Sequence, residues 1–202
     1  MNIGILGTGN VATNLAVGLS KGGHAVKLGS RSPAGKKAPA KVSLGTQAEA
    51  TQFGEVLILA VPFSAVPETV AALGPKTFKG KVLVDATNVF PPPAGWGSST
   101  SGAEEIAKLV PGAQVVKAFN TAFAKWMSSG RIGSSKILAL VAGDDAAAKK
   151  VGLRLAADIG FDAVDAGPLR SARYMEAIAL EMIHLAYERG MGPDIQLVLA
   201  RA

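Results

Sequence analysis

Short apolar runs alternate with longer amphipathic stretches along the chain, the pattern of βα units wound around a mostly parallel sheet. Asn2–Leu6 reads as a strand, and Asn10–Lys21 reads as a helix with Val11, Leu15 and Leu19 on one face. Ala25–Leu28 predicts a second strand, Val42–Leu44 a short third, and Thr46–Phe53 a small helix. Val56–Val61 is a continuous apolar strand stopped by Pro62, and a helix over Ser64–Leu73 leads to the strand Val82–Asp85. Strands apolar on both faces belong to parallel sheets covered by helices. Between Phe90 and Ser101 the pattern breaks into Pro91-Pro92-Pro93 and Gly95-Trp96-Gly97, and a loop of that length is more often functional than accidental. A helix over Gly102–Leu109 and strands over Gln114–Ala118 and Ile137–Ala142 resume the alternation. A helix capped by Asp144-Asp145 and ending near Ile159, then the strand Phe161–Val164, complete it. Met175, Ile178, Met182 and Leu185 recur at helical spacing and predict one long helix over Leu169–Arg189. The expectation is a doubly wound α/β domain over residues 1–166 with a small C-terminal helical lobe, residues 167–202, packed on it.

The first candidate chemistry sits where this pattern puts a strand–turn–helix. Gly7-Thr8-Gly9-Asn10-Val11-Ala12 fits the glycine fingerprint of Rossmann-type dinucleotide-binding folds. There the first glycine allows the tight turn, the second lets a pyrophosphate reach the backbone, and the small sixth residue lets helix and strand pack closely. The helix N-terminus adds unpaired N–H groups and a positive dipole end. An NAD site usually carries Asp or Glu at the end of the second strand to hold the ribose hydroxyls. This chain has Gly29-Ser30-Arg31-Ser32 instead. Without a carboxylate to repel it, a 2′-phosphate can be clamped by Arg31, take hydrogen bonds from Ser30 and Ser32, and gain charge from Lys36, so NADP(H) is expected over NAD(H).

Ala60, Val61 and Pro62 end the next strand at the edge where open α/β sheets bind ligands, and Pro62 is either a cofactor contact or a plain strand terminator. Asn88 in Asp85-Ala86-Thr87-Asn88 and Asn120 in Phe119-Asn120-Thr121 end two later strands on that edge, each suited to a carboxamide or ribose. Asparagine is also common in turns for local reasons. His24, in the turn after the first helix, reads as structural, and His184, within the long helix and with no nearby partner type, reads as packing. Glu104-Glu105 and Asp144-Asp145 read as first-turn residues complementing helix dipoles. No residue stands out as an acid–base catalyst and no cluster has metal-ligand spacing, which suits direct hydride transfer between two bound carriers.

Composition narrows the partners. A net charge of +6 favours anionic ligands, but the lysines are scattered and only 5% of residues are aromatic, so a nucleic-acid surface is not expected. No cysteine is present, which removes disulfides and thiolate metal sites. No apolar run approaches the ~20 residues of a membrane helix, and a cytoplasmic protein, expected as a homodimer, is the default.

The sequence resembles the coenzyme F-420-dependent NADP oxidoreductases. The likeness rests on Gly7-Thr8-Gly9-Asn10, Gly29-Ser30-Arg31, and Ser101 to Thr121 with its Val116-Lys117-Ala118-Phe119-Asn120-Thr121. It extends to Asp165-Ala166-Gly167-Pro168-Leu169 followed by Arg173 and Glu176, and to Gly190-Met191-Gly192. The resemblance implies that Thr8 to Val11 and Ser30 to Ser32 hold NADP, and that Pro62, Phe63, Asn120 and Thr121 line the nicotinamide side. It implies an 8-hydroxy-5-deazaflavin as the second hydride carrier. Two features depart from the archaeal members: Asn120 stands where they carry His, and the Pro91–Trp96 loop, expected to face the second substrate, is not theirs. Ferric reductases that pass electrons to a flavin share the same NADPH-binding fold, so a flavin stands beside the deazaflavin as acceptor. Reduction of a small imine or ketone, and NADPH sensing without catalysis, are the alternatives.

Overall fold

The computed structural model describes residues 1–93 and 96–201; Gly95 of the expected loop and the last residue of the expected lobe lie outside the described residues. Eight strands form one sheet: β1 (Asn2–Leu6), β2 (Ala25–Ser30), β3 (Val42–Thr46), β4 (Val56–Leu59), β5 (Val82–Asp85), β6 (Gln114–Lys117), β9 (Leu138–Gly143) and β10 (Asp162–Gly167). A two-stranded hairpin of β7 (Arg131–Ile132) and β8 (Ser135–Lys136) stands apart from it. The sheet order is β10-β9-β6-β5-β4-β1-β2-β3. The strands from β3 across to β6 pair in parallel, whereas β9 runs antiparallel to β6 and carries β10 parallel to itself. The sheet is therefore a mostly parallel Rossmann-type sheet with one reversed pair at its edge.

Alternation fills both faces. Ile3, Ile5, Ile58 and Val84 meet helices α1 (Asn10–Lys21) and α5 (Ala146–Ile159). Leu6, Leu57, Leu59 and Leu83 meet the opposite layer, built from α2 (Gln47–Phe53), α3 (Val66–Leu73), α4 (Gly102–Leu109) and the start of α6 (Ala172–Ile183). Helix α1 buries Ala12, Leu15, Ala16 and Leu19, an i, i+3, i+4, i+7 stripe that presses it onto the sheet. The Asp145 side chain caps α5 by accepting from Ala148 N at 2.7 Å.

The C-terminal region differs from the expected helical lobe. The long helix opens with a 3₁₀ turn over Leu169–Ser171, runs as α6, and ends in a π-helical turn over His184–Glu188. The tail beyond it has no regular helix and returns along the sheet edge. Leu138 N donates to Leu197 O at 2.9 Å, Trp126 Nε1 donates to Pro193 O at 3.1 Å, and Arg201 pairs with Asp162 at 2.9 Å. Backbone carbonyls accept two of these three bonds, and such contacts leave no side-chain periodicity to read.

Candidate functional site

The carboxyl ends of β1, β2, β4, β5 and β6 share one edge, and three adjoining hollows run along it. The first, about 290 Å³, lies among Gly7, Thr8, Gly9, Ser30, Arg31, Ser32, Lys36, Ala60, Val61 and Pro62. The second, about 320 Å³, shares Gly9, Ala60, Val61 and Pro62 with the first and adds Asn10, Val11, Phe63, Thr87 and Asn88. The third, about 220 Å³, continues from Val11 and Asn88 to Asn120, Thr121, Phe123, Met182 and Tyr187. Of the residues expected to hold the cofactor, Phe119 lines none of these hollows. Its ring is 1% exposed and packs edge-on against Phe161 at 5.6 Å between centroids. Phe119 contributes through its backbone instead: at φ +66° it takes the sharp left-handed turn that delivers Asn120 to the edge.

The glycine turn is built as its spacing suggests. Gly7 adopts φ +131°, and a Cβ there would collide with the carbonyl oxygen of Ala60. A Cβ on Gly9, by contrast, would meet nothing within 4 Å, so open space lies over the N-terminus of α1. Gly9→Ala is therefore expected to leave the melting temperature unchanged while weakening dinucleotide binding about tenfold by crowding a charged phosphate contact. Thermal melts alongside calorimetric titration with NADP⁺ check both halves.

Lys36 is tied directly to this turn. Its ammonium donates to Thr8 Oγ1 at 3.0 Å and to Ser30 Oγ at 2.9 Å, spanning the glycine turn and the end of β2. Ser32 N also donates to Ser30 Oγ, at 3.1 Å. Arg31 borders the same hollow but stands 70% exposed, 3.6 Å from Glu68.

Asn88 and Asn120 lock each other. Asn88 Nδ2 donates to Asn120 O at 2.9 Å, and Asn120 Nδ2 donates to Asn88 Oδ1 at 3.2 Å and to Met175 O at 2.9 Å. These bonds fix both amide orientations. Asn120 Oδ1 and Thr87 Oγ1, both buried, are left without a hydrogen-bond partner. Open space over Gly9, an ammonium at the far end and two unpaired buried oxygens at the near end fit an extended dinucleotide.

Beneath the second hollow lies a cluster that the sequence did not disclose. Lys117, fully buried, donates to Asp85 Oδ2 at 2.9 Å and to Thr87 O at 2.6 Å, and pairs with Glu176 Oε1 at 3.1 Å. Burial pushes this ammonium down, but the charges of Asp85 and Glu176 more than offset it and hold its pKa above the ordinary 10.5. The available signal was a lone lysine inside the apolar run Val115 to Phe119, facing carboxylates elsewhere in the motifs. Nearby, Arg173 forks onto Glu104 at 2.7 and 2.8 Å. The Arg173 hydrogen bond, opposed by partial burial and aided by Ser101, holds the Glu104 carboxyl below its usual 4.5.

The two histidines divide. His24 is structural, buried and 3.0 Å from Asp158. His184 corrects the expectation of simple packing: it is half-buried and its Nδ1 lies 2.9 Å from Glu188 one turn on. The Glu104-Glu105 and Asp144-Asp145 pairs do more than complement dipoles, since Glu105 accepts from Thr100 and Lys108 and Asp144 accepts from Leu169 N at 2.9 Å. Among the described residues no group of three potential metal ligands occurs, and no helix is long and apolar enough to cross a membrane.

The fold and this edge define a dinucleotide-binding protein of the Rossmann class. The model of the family described as NADP oxidoreductase, coenzyme F-420-dependent, matches residues 2–89. An F-420-dependent NADP reductase of Methanothermobacter marburgensis is 33% identical over 92% of both chains. A chain of Arthrobacter sp. FB24 assigned as an F-420-dependent NADP reductase superposes with a TM-score of 0.87 at 29% identity, covering all of both chains. Metalloreductase STEAP3 of Rattus norvegicus is 35% identical over 90% of this chain, which spans 37% of that protein's length. A reductive aminase of Aspergillus terreus, solved with NADPH and ethyl levulinate, shares the fold at 21% identity and a TM-score of 0.65, over 91% of this chain and 61% of its own. The chain belongs to the F-420-dependent NADP oxidoreductase family.

Proposed function

We propose that the protein transfers a hydride between NADP(H) and a deazaflavin of the F-420 type, with a flavin as the alternative carrier. The observation that carries this reading is the continuous edge cleft, with Lys36 joined to Thr8 and Ser30 at one end and an apolar hollow at the other. Ser30, Arg31, Ser32 and Lys36 hold the 2′-phosphate, and Gly7 to Val11 receive the pyrophosphate. Ala60, Val61 and Pro62 form the floor, while Asn88, Asn120 and Thr121 orient the nicotinamide. The bound dihydronicotinamide supplies the hydride. The protein supplies alignment of two rings and exclusion of water, from which most of the acceleration follows. The domain of residues 1–166 carries the cofactor, and residues 167–202 close the acceptor end. Mixing the enzyme with NADPH and coenzyme F-420 is expected to bleach the deazaflavin absorbance, with NADH far less effective. Binding of NADPH without turnover of F-420, flavin or carbonyl acceptors would instead identify a sensor.

A second reading, reduction of an imine or ketone, gains from one observation. Tyr187 lines the third hollow and brings a phenol, the proton donor such a reaction needs. Tyr187→Phe is expected to lower any imine or ketone reduction about 10²-fold while sparing deazaflavin bleaching, so parallel assays separate the two. We also propose a homodimer, supported by the exposed apolar side chains of Tyr174, Met191 and Val198, which light scattering would test.

A further inference from the structure

Glu176 is a carboxylate on the buried face of α6, and its contacts reach beyond the lysine it pairs with. Its Oε2 accepts from Trp96 Nε1 at 3.0 Å and from Gly102 N at 3.0 Å, while Oε1 faces Lys117 and accepts from Ala103 N at 3.4 Å. Each of these four partners is a donor, so a carboxylate fits this position and a carboxamide, which must turn an NH₂ toward one of them, does not. The Gly102 and Ala103 N–H groups open α4, whose dipole favours negative charge there. Trp96, so tethered, meets Phe63 edge-on with 6.0 Å between ring centroids. Phe63 is confined on another side by Gly102, where an added Cβ would approach its ring to 3.0 Å. Phe63 also lines the second hollow beside Pro62 and Thr87. A chain of contacts thus runs from the buried carboxylate through the indole to the ring at the reacting end of the cleft.

We propose that Glu176 is a positioning residue: it fixes Trp96, and Trp96 holds the Phe63 ring as the wall of the nicotinamide end. The proposal rests on the reading of this cleft as an NADP site. It explains what keeps Trp96 against Phe63: its indole N–H reaches a carboxylate anchored by helix and lysine together. It also places Trp96 behind Phe63 and outside the lining of the third hollow.

Two ligands separate the ends of the cleft without any acceptor. 2′,5′-ADP occupies only the phosphate end, whereas NADP⁺ fills both. In titration calorimetry, Glu176→Gln and Trp96→Ala are expected to leave 2′,5′-ADP affinity unchanged and to weaken NADP⁺ about tenfold, the scale of one hydrogen-bond-sized contact. Trp96→Phe, which keeps a ring against Phe63, restores most of the NADP⁺ affinity lost in Trp96→Ala. The Trp96 emission, taken as the difference between wild type and Trp96→Phe, becomes more accessible to acrylamide in Glu176→Gln. If Glu176→Gln fails to fold, the two Trp96 variants, at a half-buried loop position, carry the same comparison. Equal weakening of both ligands, or unchanged NADP⁺ affinity in Trp96→Ala, overturns the positioning role alone. Failure of the wild type to bind 2′,5′-ADP overturns the cofactor reading and the positioning role with it.

Discussion

Replacing Lys117 with methionine is expected to remove about 3–5 kcal/mol of folding stability, because it leaves two buried carboxylates facing each other without their cation. Asp85 and Lys117 have no exposed side-chain surface, and that of Glu176 is only 3% exposed. The ammonium also carries the hydrogen bond to Thr87 O, so its loss strands a backbone carbonyl as well. Urea denaturation at neutral pH measures the effect; a loss below about 1 kcal/mol would show that the contacts of the ammonium do not hold this part of the core together.

The pH dependence follows with a definite sign. Because the folded pKa of Lys117 lies above its ordinary 10.5, its contribution is fully present below the unfolded value and is lost as pH rises through the folded one. Stability from this residue is therefore flat through neutral pH and falls in strongly alkaline solution. Glu104 behaves oppositely: with its folded pKa below 4.5, its bond to Arg173 contributes above that value and is lost as pH falls through the folded one. The α4–α6 contact is thus expected to loosen on the acid side.

Local pattern and long-range placement were legible to different degrees. Helix α1 is written in the spacing of Leu15 and Leu19, though Val11, read on the same face, is only half-buried and lines the cleft; the central strands are written in short apolar runs, because each depends only on neighbours in sequence. The glycine turn was equally visible, since its small residues answer to one strand and one helix. The triad was not. Asp85 and Lys117 meet only because β5 lies beside β6 in this sheet order, and Glu176 joins them only through the packing of α6. Strand order is a property of the assembled sheet, and no periodicity announces it. The reversal of β9 and β10 escaped for the same reason. The hairpin of β7 and β8 escaped because its strands are two residues each and its exposed positions carry no apolar alternation.

The same distinction bears on cofactor choice. Read from sequence, Arg31 was the natural clamp for a 2′-phosphate because it occupies the position where an acid would select NAD. The structure weights the site differently. Arg31 is largely solvated and has Glu68 beside it, so its attraction for a phosphate is screened and shared. Lys36 is joined to both Thr8 and Ser30, and the ammonium is already placed between the glycine turn and the end of β2. Lys36→Met is therefore expected to cut the preference for NADPH over NADH by about one to two orders of magnitude, the range for hydrogen bonds to a charged group. Arg31→Ala is expected to cut it less, and the double variant to bind the two dinucleotides alike. The measurement is the ratio of Kd values for NADPH and NADH in each variant. A larger effect from Arg31→Ala than from Lys36→Met would mean that the arginine leaves Glu68 on binding and takes the phosphate itself.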